Sequence, residues 1–262
     1  MADGTILHYD TLCTGALALV DLPMRDAWVR EQLYRAPLPE AARALNQLCQ
    51  EAEQASPQAR VVLMSVIRAL LHDGAAELAQ RLREEAAAGS LLSLDRFLRW
   101  PTYQPHVDDP QARALPQGAD RSLSLGERKS LARRPDRRAF DRLLRDPHPD
   151  VIRMLLGNPR LTEDDVLRIA ARRPNFPDIL GEIARNVRWS TRPRVRMALV
   201  LNPATPPEVA VPMVLLLVHH ELRLVYEITD ANAPVRVAAA ELLRRRPPQL
   251  DDAPPDGDEW VQ

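Results

Sequence analysis

The sequence predicts an all-α protein in which an N-terminal helical domain is followed by a solenoid of short helices, and three observations carry that prediction. Asn158-Pro159 returns 44 residues later as Asn202-Pro203, each closing an apolar run (Val151 to Leu156; Val195 to Leu201). A further 44 residues leads to Arg246-Pro247, which closes the run Val237 to Leu243. A second phrase, Ala132-Arg133-Arg134-Pro135, recurs as Ala171-Arg172-Arg173-Pro174. Recurrence in this range marks stacked helical units, none of which buries its apolar face alone. Composition agrees: 9 Gly, 4% aromatics and abundant Leu, Ala, Arg and Glu favour helix, while 24 Pro demand many short helices.

Taken in order, residues 1–24 are ambiguous between helix and loop. Asp26 to Arg35 reads as a short helix stopped at Ala36-Pro37, because a residue before Pro avoids the helical region. Pro39 to Gln54 sets Ala42, Leu45 and Leu48-Cys49 on one stripe. Ser56-Pro57 is an N-cap with Pro at the first helical position, opening a helix through Leu71. Asp73-Gly74 breaks it, Ala75 to Ala88 forms the next helix, and Ser93 to Trp100 a last short one. Pro101 to Arg121 has no periodicity and reads as a linker, giving an N-terminal domain over 1–100 and a repeat domain over 122–247. There the expected helices are Ser124–Arg134, Asp136–Arg145, Pro149–Gly157, Thr162–Arg173, Pro177–Val187, Thr191–Leu201, Pro206–Val218, His219–Thr229 and Pro234–Arg245. Thr162 to Asp165 is a capping box with acids in the first turn, and Arg pairs close several last turns, as the helix dipole favours. Residues 248–262 read as an acidic disordered tail carrying Trp260.

Asp146-Pro147 through Asn158-Pro159 with Thr162 to Val166, and Val195 to Pro203 with Thr205 to Val209, resemble the leucine-rich-repeat-variant and HEAT-like helical repeats of bacteria. The likeness covers roughly residues 124–247. It implies an α-solenoid of HEAT-like repeats whose usual role is binding. This chain departs from the pattern by a one-residue slip between Leu161-Thr162 and Thr205-Pro206, and its third copy has Arg246 in place of Asn. Some variant-repeat proteins carry an iron–sulfur cluster on grouped cysteines; Cys13 and Cys49, the two in this chain, exclude one here. No cofactor and no metal is expected.

Charge is unevenly spread behind a net −1. Residues 121–246 hold 24 Lys plus Arg against 15 acids, whereas residues 247–262 hold five acids and no base. A basic centre points to an anionic partner or to an intramolecular contact between tail and solenoid. The candidate partner-binding residues are Arg133, Arg134, Arg137, Arg138, Arg172, Arg173, Arg185, Arg188, Arg192 and Arg194, which stacking would align into a rim, together with Trp189, Trp100, Tyr103 and Trp260. Each has a plainer alternative: dipole complements and internal salt bridges for the arginines, a core plug for Trp189, a domain cap for Trp100 and Tyr103. Adjacent His219 and His220 face different sides of a helix and make a poor metal site.

The chain has no Gly-rich phosphate loop, HExxH or G-x-S-x-G signature. The expectation is therefore a non-enzymatic cytoplasmic scaffold or adaptor, regulating a signalling or small-GTPase-type protein through the basic solenoid surface. The alternative is a nucleic-acid-binding repeat protein or a glycosylase-like enzyme, with Trp189 stacked on a base. A pI near 6.6 and the acidic ends oppose that alternative. The longest apolar run, Val209 to Val218, is too short to span a bilayer.

Overall fold

The structure, a computed structural model, describes residues 7–100, 123–134, 136–228 and 230–246. The expected linker and acidic tail, with Tyr103 and Trp260, lie outside them. Every regular element among the described residues is helical. None of these helices is long and apolar enough to cross a membrane.

The helices group into two compact units. Unit 1 contains α1 (Tyr9–Ala18), α2 (Leu22–Arg35), α3 (Leu38–Glu53), α4 (Pro57–Leu70), α5 (Ala76–Ala88) and α6 (Leu92–Leu98), joined by α15 (His219–Glu227) and α16 (Ala233–Arg245). Unit 2 contains α7 (Leu125–Arg133), α8 (Phe140–Leu143), α9 (Pro149–Leu156), α10 (Glu163–Ala171), α11 (Pro177–Arg185), α12 (Val187–Ser190) and α13 (Pro193–Leu201). The division falls inside α14 (Pro207–Val214). It therefore differs from the boundary drawn on the sequence, which assigned the last helices to the repeat domain. Sequence proximity placed them there; hydrogen bonds from Arg245 and Arg246 tie the end of α16 to the end of α3.

Local chemistry explains where helices start. Asp21 accepts from the Met24 amide at 2.9 Å, so α2 begins at Leu22 and not at Asp26. The capping box at Thr162 forms as expected, and a second one forms at Ser124 with Glu127. Asp136 to Arg145 is not one helix but a 3₁₀ turn, Arg137–Ala139, followed by the four residues of α8. Asn186 starts the short α12 by accepting from the amides of Arg188 and Trp189 at 3.1 and 3.3 Å. Leu91, at the start of α6, offers no side-chain cap, and Asn46 on α3 serves instead, accepting from Ser93 and Leu94 at 3.1 Å each. In unit 1, α4 is buried almost all round, which makes it the central helix, and its Arg68 is held by Asp26 at 2.6 and 2.7 Å.

Helix ends are a harder problem, because the last carbonyls of each helix have no intrahelical donor. Glycine commonly solves it by adopting a left-handed cap, but this chain is glycine-poor and α1, α2, α7, α11, α13, α15 and α16 exit through an extended residue. Side chains from other elements supply the donors. Asn158, 1% exposed, donates its amide to the carbonyls of Ala132 and Arg134 at the end of α7, both at 2.8 Å. Asn202 does the same to Ala170 and Arg172 at the end of α10, at 2.7 and 3.0 Å. Each Asn spends its amide oxygen on the backbone two residues ahead, Arg160 and Ala204, both at 3.0 Å.

The third position keeps the function with a different residue. Arg246 donates to Leu217 and Leu215 beyond α14, at 2.6 and 3.4 Å, and its longer reach adds Ala52 and Glu53 at the end of α3, at 2.8 and 2.9 Å. This buried guanidinium joins the C-terminal helices to the N-terminal ones within unit 1. Arg245, bonded to Glu53 at 3.4 Å, and Arg60, bonded to Leu217 at 3.1 Å, reinforce that junction.

Replacing Asn202 separates donor loss from steric loss. Asn202→Leu leaves two buried carbonyls unpaired and lowers unfolding stability by about 2–4 kcal/mol. Asn202→Asp preserves size and the bond to Ala204 but turns an acceptor toward two carbonyls, so chemical denaturation at pH 7 gives a larger loss than for Leu. Residues 1–100 produced alone, lacking Arg246, melt less cooperatively and at lower temperature than the intact chain; an equally sharp, equally high transition contradicts this packing.

Candidate interaction surface

The predicted arginines divide into two sets. One set is engaged inside the molecule. Arg137 pairs with buried Asp165 and lies 5.2 Å from the Phe140 ring centre. Arg185 bonds Glu182 at 2.7 Å, sharing that carboxylate with Arg153. Arg173 donates to the Leu201 carbonyl at 2.9 Å, closing α13. Arg188 donates to the carbonyls of Asn158 and Leu161, both at 3.2 Å, while stacking 4.3 Å from the Trp189 ring centre. Arg194 reaches Asp164 at 3.3 Å on the surface, a contact worth little. Among the described residues, Arg133 bonds the Met154 sulfur alone, at 3.3 Å.

Trp189 is buried, and its indole N–H donates to the Leu156 carbonyl at 2.8 Å. Of its two sequence-based readings, the core plug is the one observed: Trp189 caps α9, and its face is taken by Arg188. Trp100 is half-buried.

The second set is open. Among the described residues, the exposed side chains of Arg134, Arg138 and Arg192 make no ion pair or hydrogen bond, and neither do Arg142, Arg145, Arg160 and Arg168, which the sequence did not single out. No sequence signal separates these four: each has a carboxylate three or four residues away (Asp146 for Arg142, Asp141 for Arg145, Glu163 and Asp164 for Arg160, Asp164 and Asp165 for Arg168) and pairs with none of them. Unit 2 carries eighteen Lys and Arg against eleven acids over residues 123–210, and ion pairs already hold Asp146, Asp150, Asp164, Asp165 and Glu182. The surplus is therefore exposed positive charge.

The carboxylates and thiols differ in how burial and bonding shift them. Burial by itself would raise the Asp165 carboxyl, but bonds from Arg137 and Thr162 outweigh it and hold the group at about 2. The bond from Lys129 lowers Asp150. Burial raises Glu208, whose carboxylate has one buried oxygen without a donor. Burial lowers Arg172, and the nearby Arg145 lowers it further. Burial raises both thiols, Cys13 and Cys49, which keeps them protonated and suits packing more than nucleophilic chemistry. No group of three or more His, Cys, Asp or Glu among the described residues is arranged to hold a metal ion.

Comparison of the chain with protein-family models, with curated proteins and with solved structures gave no match.

Asp165 gives a pH-dependent test. Its folded value lies below that of an unfolded aspartate, so its stabilisation is full above about pH 4 and is lost as pH falls toward 2. With Arg137 half in water, the contribution is on the order of 1–2 kcal/mol. Asp165→Asn should therefore destabilise at pH 7 and converge with the wild type near pH 2, as followed by urea unfolding at each pH.

Proposed function

We propose that this chain is a non-enzymatic binding module whose unit 2 presents open arginines to an acidic surface on a partner protein. The observation that carries the proposal is the division just described: the buried carboxylates Asp146, Asp165 and Glu182 are matched to particular arginines, while among the described residues Arg134, Arg138 and Arg192 remain exposed without partners. Unmatched charge on a folded surface speeds encounter with an opposite charge and fixes orientation more than it adds affinity. The repeat reading is compatible with this role. The 44-residue recurrence of Asn158, Asn202 and Arg246 as end-caps supports stacked helical units, and stacked units offer extended faces for binding. A regulatory adaptor for a signalling or small-GTPase-type protein falls within this class. A nucleic-acid role loses its stacking residue, since the Trp189 indole is buried and hydrogen-bonded.

The test is affinity capture by wild-type protein and by the triple variant Arg134→Glu, Arg138→Glu, Arg192→Glu, quantified by mass spectrometry. These side chains make no internal bonds, so the melting temperature should stay within about 2 °C of wild type. Partners should be lost from the variant and should bind more weakly as salt rises. Equal capture by both proteins removes the proposal, and a salt-dependent gel shift with nucleic acid replaces it.

A further inference from the structure

Two of the helix caps in unit 2 are the same device, yet one of them carries charge that capping does not require. Asn158 donates to the carbonyls of Ala132 and Arg134, both at 2.8 Å, and accepts from the Arg160 amide at 3.0 Å. Asn202 makes the matching bonds to Ala170, Arg172 and the Ala204 amide. The position filled by Arg160 at the first cap is therefore filled by Ala204 at the second. Capping uses only the backbone of Arg134 and Arg160, so neither guanidinium is needed for it.

Hydrogen bonds bring three segments of the chain together at the first cap. Asn158 ties residues 156–162 to residues 132–134. Arg188 reaches the carbonyls of Asn158 and Leu161, both at 3.2 Å, and the Trp189 indole reaches Leu156 at 2.8 Å, which ties residues 186–192 to the same place. The Arg192 amide in turn bonds the Trp189 carbonyl at 3.0 Å. These three segments together hold five arginines and no Asp or Glu. Arg134, Arg160 and Arg192 are exposed, and among the described residues their side chains make no hydrogen bond or ion pair. The buried Asn158 and Trp189 brace the backbone that carries these charges, which lowers the ordering cost of binding through them.

We propose that this corner of unit 2, through Arg134, Arg160 and Arg192, docks a short segment of a partner protein rich in Asp and Glu. Carboxylates match the forked guanidinium donors, and several along one peptide can meet several arginines. A nucleic-acid strand fits less well. The one aromatic side chain in the three segments, Trp189, is buried with Arg188 over its ring, so the corner has no stacking platform. This docking rests on the function proposed above and narrows it to one place on unit 2 and one kind of ligand.

Fluorescence anisotropy of the full chain tests this with a labelled Glu-rich peptide, with the same peptide carrying Gln for Glu, and with single-stranded DNA of equal charge. The Glu peptide should bind saturably and the Gln peptide should not. Arg134→Ala and Arg160→Ala should each weaken binding at least about fivefold, and the pair by more than either alone. Both variants keep the backbone bonds to Asn158, and the second cap already functions with Ala204, so both fold. Arg142→Ala and Arg168→Ala remove arginines that are equally exposed and unpaired but lie in none of the three segments; each should change affinity less than about twofold. A loss shared equally by Arg142→Ala and Arg168→Ala overturns the corner while the broader reading of unit 2 as a basic surface stands. No saturable binding of the Glu peptide, or tighter binding of the DNA through Arg134 and Arg160, overturns the acidic-segment assignment, and affinity capture with the triple variant then decides the broader reading independently.

Discussion

Side-chain donors on helix carbonyls are the constraint around which this molecule is built. A chain of many short helices has many helix ends, and each end exposes carbonyls that cannot be buried unpaired at acceptable cost. With few glycines available, the chain answers with Asn, Arg and Trp delivered from elsewhere in the fold. Asn158 closes α7, Asn202 closes α10, Trp189 closes α9, and Arg246 closes α3 and the segment after α14. Arg25 at Leu19, Arg83 at Leu98 and Arg173 at Leu201 extend the same device. Because each donor belongs to a different element from the carbonyl it satisfies, these caps also fix how the elements pack.

Many of the arginines that look like surface charge are thereby structural. Guanidinium suits this role because its donors lie in a fixed plane and its charge complements the negative end of a helix. Arg246 shows the limit: a buried cation bonded to four carbonyls, at the end of α3 and beyond the end of α14. Where no carbonyl or carboxylate is in reach, the arginine stays exposed. That difference, more than the count of arginines, separates framework from surface.

Recurrence and identity also part company at the third cap. Asn to Arg at position 246 breaks the phrase as a motif yet preserves the donor geometry, since both side chains place N–H groups on carbonyls two residues apart. The longer side chain then reaches α3, which the shorter one could not. A change that weakens the repeat as a sequence pattern thus ties the last helices to the N-terminal ones.

The helical class, most helix starts and the 44-residue recurrence were legible in the sequence, because caps, prolines and apolar spacing act within a few residues of where they are written. Arg133 and Arg134 could be seen as a basic pair, and Thr162 as a cap, on the same local grounds. The sequence could not show that the end of α16 bonds to the end of α3, that Asn46 caps α6, that Trp189 is a plug, or which arginines are spent. Those outcomes depend on which carbonyls and carboxylates come within about 3 Å of a donor, a distance set by helix packing between residues tens to nearly two hundred positions apart. Local chemistry chose the helices; the pairing of their ends chose the fold and left the unpaired arginines exposed.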